Sequence, residues 1–62
     1  MKLKPIYKIK SKGEARQIAI DYQNWQSEQS LSYGELAKYN GYFMQLGKKF
    51  NLTKEFEENA II

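Results

Sequence analysis

A chain of 62 residues with 42% apolar side chains is one small domain at most, because a domain of this length hides only roughly 60% of the surface its unfolded form exposes. It contains no cysteine and no histidine, which excludes disulfide staples, zinc sites built on thiolate or imidazole, and acid–base catalysis by histidine. The net charge of +3 is unevenly placed: residues 1–16 hold Lys2, Lys4, Lys8, Lys10, Lys12 and Arg16 against Glu14 alone, whereas Lys38, Lys48, Lys49 and Lys54 face Asp21, Glu28, Glu35, Glu55, Glu57 and Glu58 in the remainder.

In chain order, residues 2–10 alternate, with Leu3, Tyr7 and Ile9 on one side and Lys2, Lys4, Lys8 and Lys10 on the other, which predicts a short β-strand. Ile6 breaks the polar side, and Pro5 removes a ladder donor and assigns the strand to an edge. A single strand needs a partner for its backbone groups, and a homodimer paired through this segment would supply one, as would the sheet edge of another protein. The alternative is a basic arm running from Met1 to Lys10. The same basic start resembles the n-region of a signal peptide, but no apolar run follows it, so the chain is expected to be soluble and cytoplasmic.

Ser11 and Glu14 form a capping box that predicts a helix over residues 12–28, with Ala15, Ile18, Ala19, Tyr22 and Trp25 on its apolar face. Ser32 and Glu35 form a second box, with Leu31 and Leu36 as a hydrophobic staple, and open a helix over residues 33–50. Its stripe of Leu36, Tyr39, Phe43, Leu46 and Phe50 faces the first helix in an antiparallel αα-hairpin. Lys48 and Lys49 suit the negative helix end, and Asn51 suits a left-handed stop. Thr53 is expected to cap a short helix over residues 54–59 that turns Phe56 inward. The predicted class is therefore α+β and mostly α: one domain, 1–62, built as strand, helical hairpin and terminal helical turn.

Catalytic groups are scarce. Ser27, Ser30 and Ser32 have no histidine to activate them and serve as caps and loop formers. The carboxylates fall on outer faces, and Gly13, Gly34, Gly41 and Gly47 are isolated and form no phosphate-binding loop. The chain is expected not to be an enzyme and to carry no metal or cofactor.

Binding residues are easier to nominate. Residues 33–50 can be aligned to a helix-turn-helix with Gln45, Lys48 and Lys49 on the reading helix, but the apolar stripe runs through the supposed turn without a phase break, which favours one continuous helix. Within that helix Gly41 and Gly47 mark close packing or ligand approach. Tyr42 and Ile20 lie off the two apolar stripes, as minor core or as interface anchors. Ile20, Lys38, Tyr42, Gln45 and Lys49 are the candidate contacts for a protein partner. Lys2, Lys4, Lys8 and Lys10 are the candidates for strand pairing or nucleic acid.

The stretches Ser30–Leu36, Leu46–Phe50 and Leu52–Ile62 resemble small uncharacterised phage and prophage proteins of low-GC Gram-positive bacteria. The likeness covers most of residues 11–62 and includes no catalytic motif. Such proteins commonly end in a Glu-Asn-Gly-Ile-Ile type sequence, where this chain has Ala60, and the departure falls on a turn that glycine would favour. The resemblance implies a phage-encoded protein that binds and blocks or modulates a bacterial host or defence protein, an inhibitor of the anti-CRISPR type. The net basic charge argues against DNA mimicry and for blocking or conformational locking. The alternatives are a small DNA-binding accessory or regulatory protein using the amino-terminal lysines, and a subunit stabilised only within an assembly. No membrane partner is expected.

Overall fold

The computed structural model describes residues 2–62, and these contain helices and no β-strand. The expected strand over residues 2–10 is not formed, and the class is all-α rather than α+β. Met1, the first residue of the alternative arm, lies outside the described residues. Pro5 takes φ −57° and ψ 138°, and a 3₁₀ turn, Ile6–Lys8, follows it directly. In that turn the Lys8 N–H donates to the Pro5 carbonyl at 3.0 Å, and the Ile9 N–H to the Ile6 carbonyl at 3.0 Å. The turn changes which side chains point inward. A 3₁₀ helix brings residues three apart onto one side, and Leu3, Ile6 and Ile9 pack on the core while Tyr7 is left 70% exposed. The Lys8 and Ile9 N–H groups are thus bonded within the segment and not held out along a strand edge.

Three helices follow: α1, Lys12–Gln26; α2, Tyr33–Phe50; and α3, Thr53–Glu58. The amino termini of α1 and α2 are fixed by their serines. The Glu14 N–H donates to Ser11 Oγ at 3.1 Å and the Glu35 N–H to Ser32 Oγ at 3.3 Å, satisfying donors that the first helical turn leaves open. α1 ends at Gln26, short of the expected residue 28. The Ser27 hydroxyl donates to the Asn24 carbonyl at 2.8 Å, a local bond that competes with a further helical turn.

The carboxyl end of α2 is closed by backbone geometry. Asn51 adopts φ 57° and ψ 44°, and the Leu52 N–H returns to the Gly47 carbonyl at 2.7 Å, the six-to-one bond of a Schellman motif. This reversal delivers α3 directly against α2. Leu52 is the residue preceding α3, and Thr53, expected to cap it, is instead its first helical residue. Thr53 lies so close to α2 that a Cβ on Gly47 would sit 3.0 Å from its Oγ1 and 3.1 Å from its Cα.

The core is aromatic and belongs to all three helices. Tyr22 of α1 lies 5.1 Å from Tyr39 and 4.9 Å from Phe43 of α2, ring centre to ring centre, and Trp25 stands edge-on to Tyr39 at 5.6 Å. These pairings run antiparallel, with the later residue of α1 meeting the earlier one of α2. Phe43 also meets Phe56 of α3 edge-on at 5.9 Å. Ile9, Leu46 and Leu52 are the other large side chains that are fully buried. On the outer side, Arg16 of α1 forms a two-pronged ion pair with Glu55 of α3, at 2.9 and 3.1 Å.

A second Schellman turn ends α3, with the Ile61 N–H donating to the Phe56 carbonyl at 2.8 Å and both side chains buried. Its left-handed residue is Ala60, at φ 58°. The turn therefore forms without glycine, although a Cβ there is unfavourable by about 1 kcal/mol. Ala60→Gly is expected to raise stability by about 0.5–1 kcal/mol, the gain being trimmed by glycine's greater freedom in the unfolded chain. A urea titration showing a lower midpoint for the variant would contradict this account of the turn.

Candidate functional site

Residues 2–7 run in the open along one flank of α2, and side chains of that helix hold them there. The Tyr42 hydroxyl donates to the Lys4 carbonyl at 2.6 Å, and the Lys49 ammonium donates to the Ile6 carbonyl at 2.9 Å. The Tyr42 hydroxyl gives the Lys4 carbonyl a partner ahead of the turn, and Lys49 is a second donor to the Ile6 carbonyl, which also accepts from the Ile9 N–H. Burial, and secondarily the Glu14 carboxylate, pushes the Tyr42 hydroxyl above its ordinary pKa. The Lys4 ammonium pairs with the Glu14 carboxylate of α1. That hydrogen bond is the chief reason the Glu14 carboxyl is held below its ordinary value, as Arg16 holds Glu55. Lys10 turns back to the Tyr7 carbonyl at 3.3 Å.

The arm is thus pinned at two carbonyls, and replacing the pins should loosen it without unfolding the helices. A Tyr42→Phe/Lys49→Ala double variant is expected to be cleaved by trypsin after Lys8 and Lys10 about thirtyfold faster relative to cleavage within α2, given about 1 kcal/mol net for each of the two hydrogen bonds lost. An unchanged ratio would mean that apolar contacts alone dock the arm.

Between the pinned arm and α2 lies an open groove of about 970 Å³, larger than a concavity of about 180 Å³ between α1 and α3 and one of about 370 Å³ beside Tyr33 and Ile62. One wall is the arm from Lys2 to Tyr7, and the other is the α2 face made of Lys38, Tyr39, Gly41, Tyr42 and Gln45. Leu3, Pro5, Ile6 and the tyrosine rings make most of the lining apolar. The charged groups are Lys2, Lys4 and Lys38, and no carboxylate lines it. Lys4 is compensated by Glu14 from outside. Lys2 and Lys38 make no hydrogen bond or ion pair among the described residues.

This geometry sorts the residues nominated from the sequence. Lys38, Tyr42 and Gln45 meet Lys2 and Lys4 in the groove. Lys8, the last residue of the 3₁₀ turn, and Lys10 beyond it do not line the groove, so the four amino-terminal lysines do not form one row. Lys49 is spent on the Ile6 carbonyl and also lies 5.4 Å from the Phe50 ring centre. Tyr42, left open between core and interface, packs partly on the core through its ring, edge-on to Phe43 at 5.1 Å, while its hydroxyl holds the arm. Ile20 is 49% exposed and borders the shallow depression between α1 and α3, away from the groove.

Several lining residues were not anticipated as contacts: Leu3, Pro5, Ile6, Tyr7 and Tyr39, with Gly41 marked only as close packing or ligand approach. One signal was available, since positions 38, 41, 42 and 45 share one helical face. The arm residues gave none, because only its docking makes them a wall. The arrangement offers apolar contact, cationic anchoring and the amide of Gln45. Among the described residues no group of histidine, cysteine or carboxylate side chains could hold a metal ion, and no helix is long and apolar enough to cross a membrane. Compared with protein-family models, with curated proteins and with solved structures, the chain matches none of them.

Proposed function

We propose that this is a small non-catalytic protein that binds a bacterial protein and blocks or modulates it, with the groove between the amino-terminal arm and α2 as its contact surface. The observation that carries the reading is the composition of that groove: an apolar and aromatic lining with cations at its walls, the make-up of protein-binding surfaces. The resemblance to phage proteins makes an inhibitor of the anti-CRISPR type, acting in the host cytoplasm on a defence nuclease, the specific form of the proposal. A folded body with a short groove suits occlusion of a partner's surface.

The reading in which the amino-terminal lysines contact DNA has less support. Lys4 is already paired and Lys10 is turned onto its own chain, and a duplex contact needs several uncompensated cations in register with phosphates.

Affinity capture from bacterial lysate, with nuclease treatment, tests the proposal. The tagged wild-type chain should retain a stoichiometric protein, and Gly41→Leu, which fills the groove, should lose it. Recovery of nucleic acid alone, removed by nuclease and by moderate salt, would overturn the proposal in favour of DNA binding. Equal capture by Gly41→Leu would remove the groove from the interface.

A further inference from the structure

We infer that the groove takes a short, extended, acidic segment of a partner protein, in which an apolar side chain is flanked by carboxylates. This rests on the reading above that the groove is the contact surface, and it specifies the chemistry of the occupant.

The first argument is charge. The two uncompensated cations stand on opposite walls, Lys2 on the arm and Lys38 on α2, and no acidic residue lies between them. An occupant with carboxylates on both sides would find a cation on each wall, and a basic one would meet like charge on both. Lys4, between Lys2 and the 3₁₀ turn, already holds a carboxylate of this chain, that of Glu14.

The second argument is the apolar part of the two walls. Leu3 and Ile6 pack against the core from the arm, and the mostly apolar surface they share with Pro5 and Tyr39 gains by covering itself with an apolar side chain rather than with phosphate or sugar. Single-stranded nucleic acid, the other polyanion to consider, binds by stacking successive bases on free rings. Here Tyr39 is 7% exposed and the Tyr42 hydroxyl is bonded to the arm, which leaves Tyr7, 70% exposed, as the one open ring in the groove.

The third argument is size. The wall from Lys2 to Tyr7 is six residues long and spans at most about 20 Å, which suits an extended segment of about five or six residues. Gly41 lies in the opposite wall, where an added Cβ would meet no atom within 4 Å. A side chain there would enter the groove without disturbing the core.

The test is fluorescence anisotropy with a labelled hexapeptide alternating Glu with Leu and Phe, compared with its Gln-for-Glu counterpart and a labelled hexathymidylate. The acidic peptide is expected to bind at least about tenfold more tightly than the Gln peptide, a difference equal to about 1.4 kcal/mol. Lys38→Glu should weaken it by at least about tenfold. Gly41→Leu should abolish binding while its circular dichroism and melting transition stay native, which separates loss of the groove from loss of the fold. Preference for hexathymidylate, equal binding of both peptides, indifference to Lys38→Glu, or no binding would each overturn the inference. Should the peptide fail while Gly41→Leu still loses a captured protein, the groove stands as the interface and only the acidic chemistry falls.

Discussion

Truncating Phe43 to alanine is expected to remove about 3–5 kcal/mol of stability and to leave the chain largely unfolded, because domains below about 70 residues rarely have more than that in hand. The size of the effect follows from position. Phe43 is fully buried and its ring meets Tyr22 of α1, Tyr42 beside it and Phe56 of α3, at centre distances of 4.9, 5.1 and 5.9 Å. Its aromatic contacts reach both flanking helices, whereas those of Tyr39 reach α1 alone. Its loss opens a cavity against three aromatic groups that are themselves held by other contacts, so the site collapses poorly. Far-UV circular dichroism of Phe43→Ala should show much reduced helix and no cooperative urea transition. Phe50→Ala, at a half-buried position, should keep a native transition at a lower midpoint. A cooperative Phe43→Ala protein losing less than about 1 kcal/mol would show that the helices are held chiefly by other contacts.

The helical part of this fold is legible because its signals are local. Ser11 with Glu14 and Ser32 with Glu35 mark two helix starts by chemistry that acts within one turn, and Asn51 marks a stop in the same way. The aromatic stripe is legible through its three-and-four spacing, which fixes the pairing of Tyr22 and Trp25 with Tyr39 and Phe43. The arm is a different case. Residues 2–10 satisfy an alternating pattern and also place Leu3, Ile6 and Ile9 three apart, and over so short a run the two periods are nearly degenerate. Ile6, which interrupts the alternation, is the residue that separates them, and Pro5 before it favours the turn that follows.

The groove was legible on one side only. Lys38, Tyr42 and Gln45 share a face of α2 and could be nominated together, with Gly41 among them. The opposite wall depends on two long-range bonds, from the Tyr42 hydroxyl to Lys4 and from Lys49 to Ile6, each spanning about forty positions of sequence. No local pattern encodes them. Tyr42 and Lys49 were therefore nominated as partner contacts, when the bonds they make are to the arm. Ala60 shows the reverse situation. The sequence places the unfavourable residue at the terminal turn, and the packing of Ile61 against the core holds the turn in spite of it.

Gly41 and Gly47 of α2 should respond in opposite directions to an added side chain, and that contrast tests how α3 is attached. Gly47 is buried at the point where the chain doubles back, and a Cβ there would lie 3.0 Å from Thr53 Oγ1 and 3.1 Å from both the Cα and the nitrogen of Thr53. The obstruction is mostly backbone, and that backbone is tied to the same glycine through Leu52, whose N–H bonds the Gly47 carbonyl at 2.7 Å. Moving Thr53 away would strain this bond and lift Leu52 out of the core. Alanine at this position is a mixed test, since about 1 kcal/mol of helix propensity offsets part of the clash. Valine adds two branches where there is no room for one, and Gly47→Val is expected to lose about 3 kcal/mol through overpacking. Gly41, six residues earlier in the same helix, has open space at its Cβ, so Gly41→Ala gains the propensity term alone and should be more stable by up to about 1 kcal/mol. Urea titrations of the two variants should move the midpoint in opposite directions with a common slope. A shared direction would mean either that α3 can swing away from Gly47 or that Gly41 is already close-packed. Opposite signs would place the rigid junction of the molecule at Gly47, where the added Cβ meets the backbone of Thr53, and its open surface at Gly41, where it meets nothing.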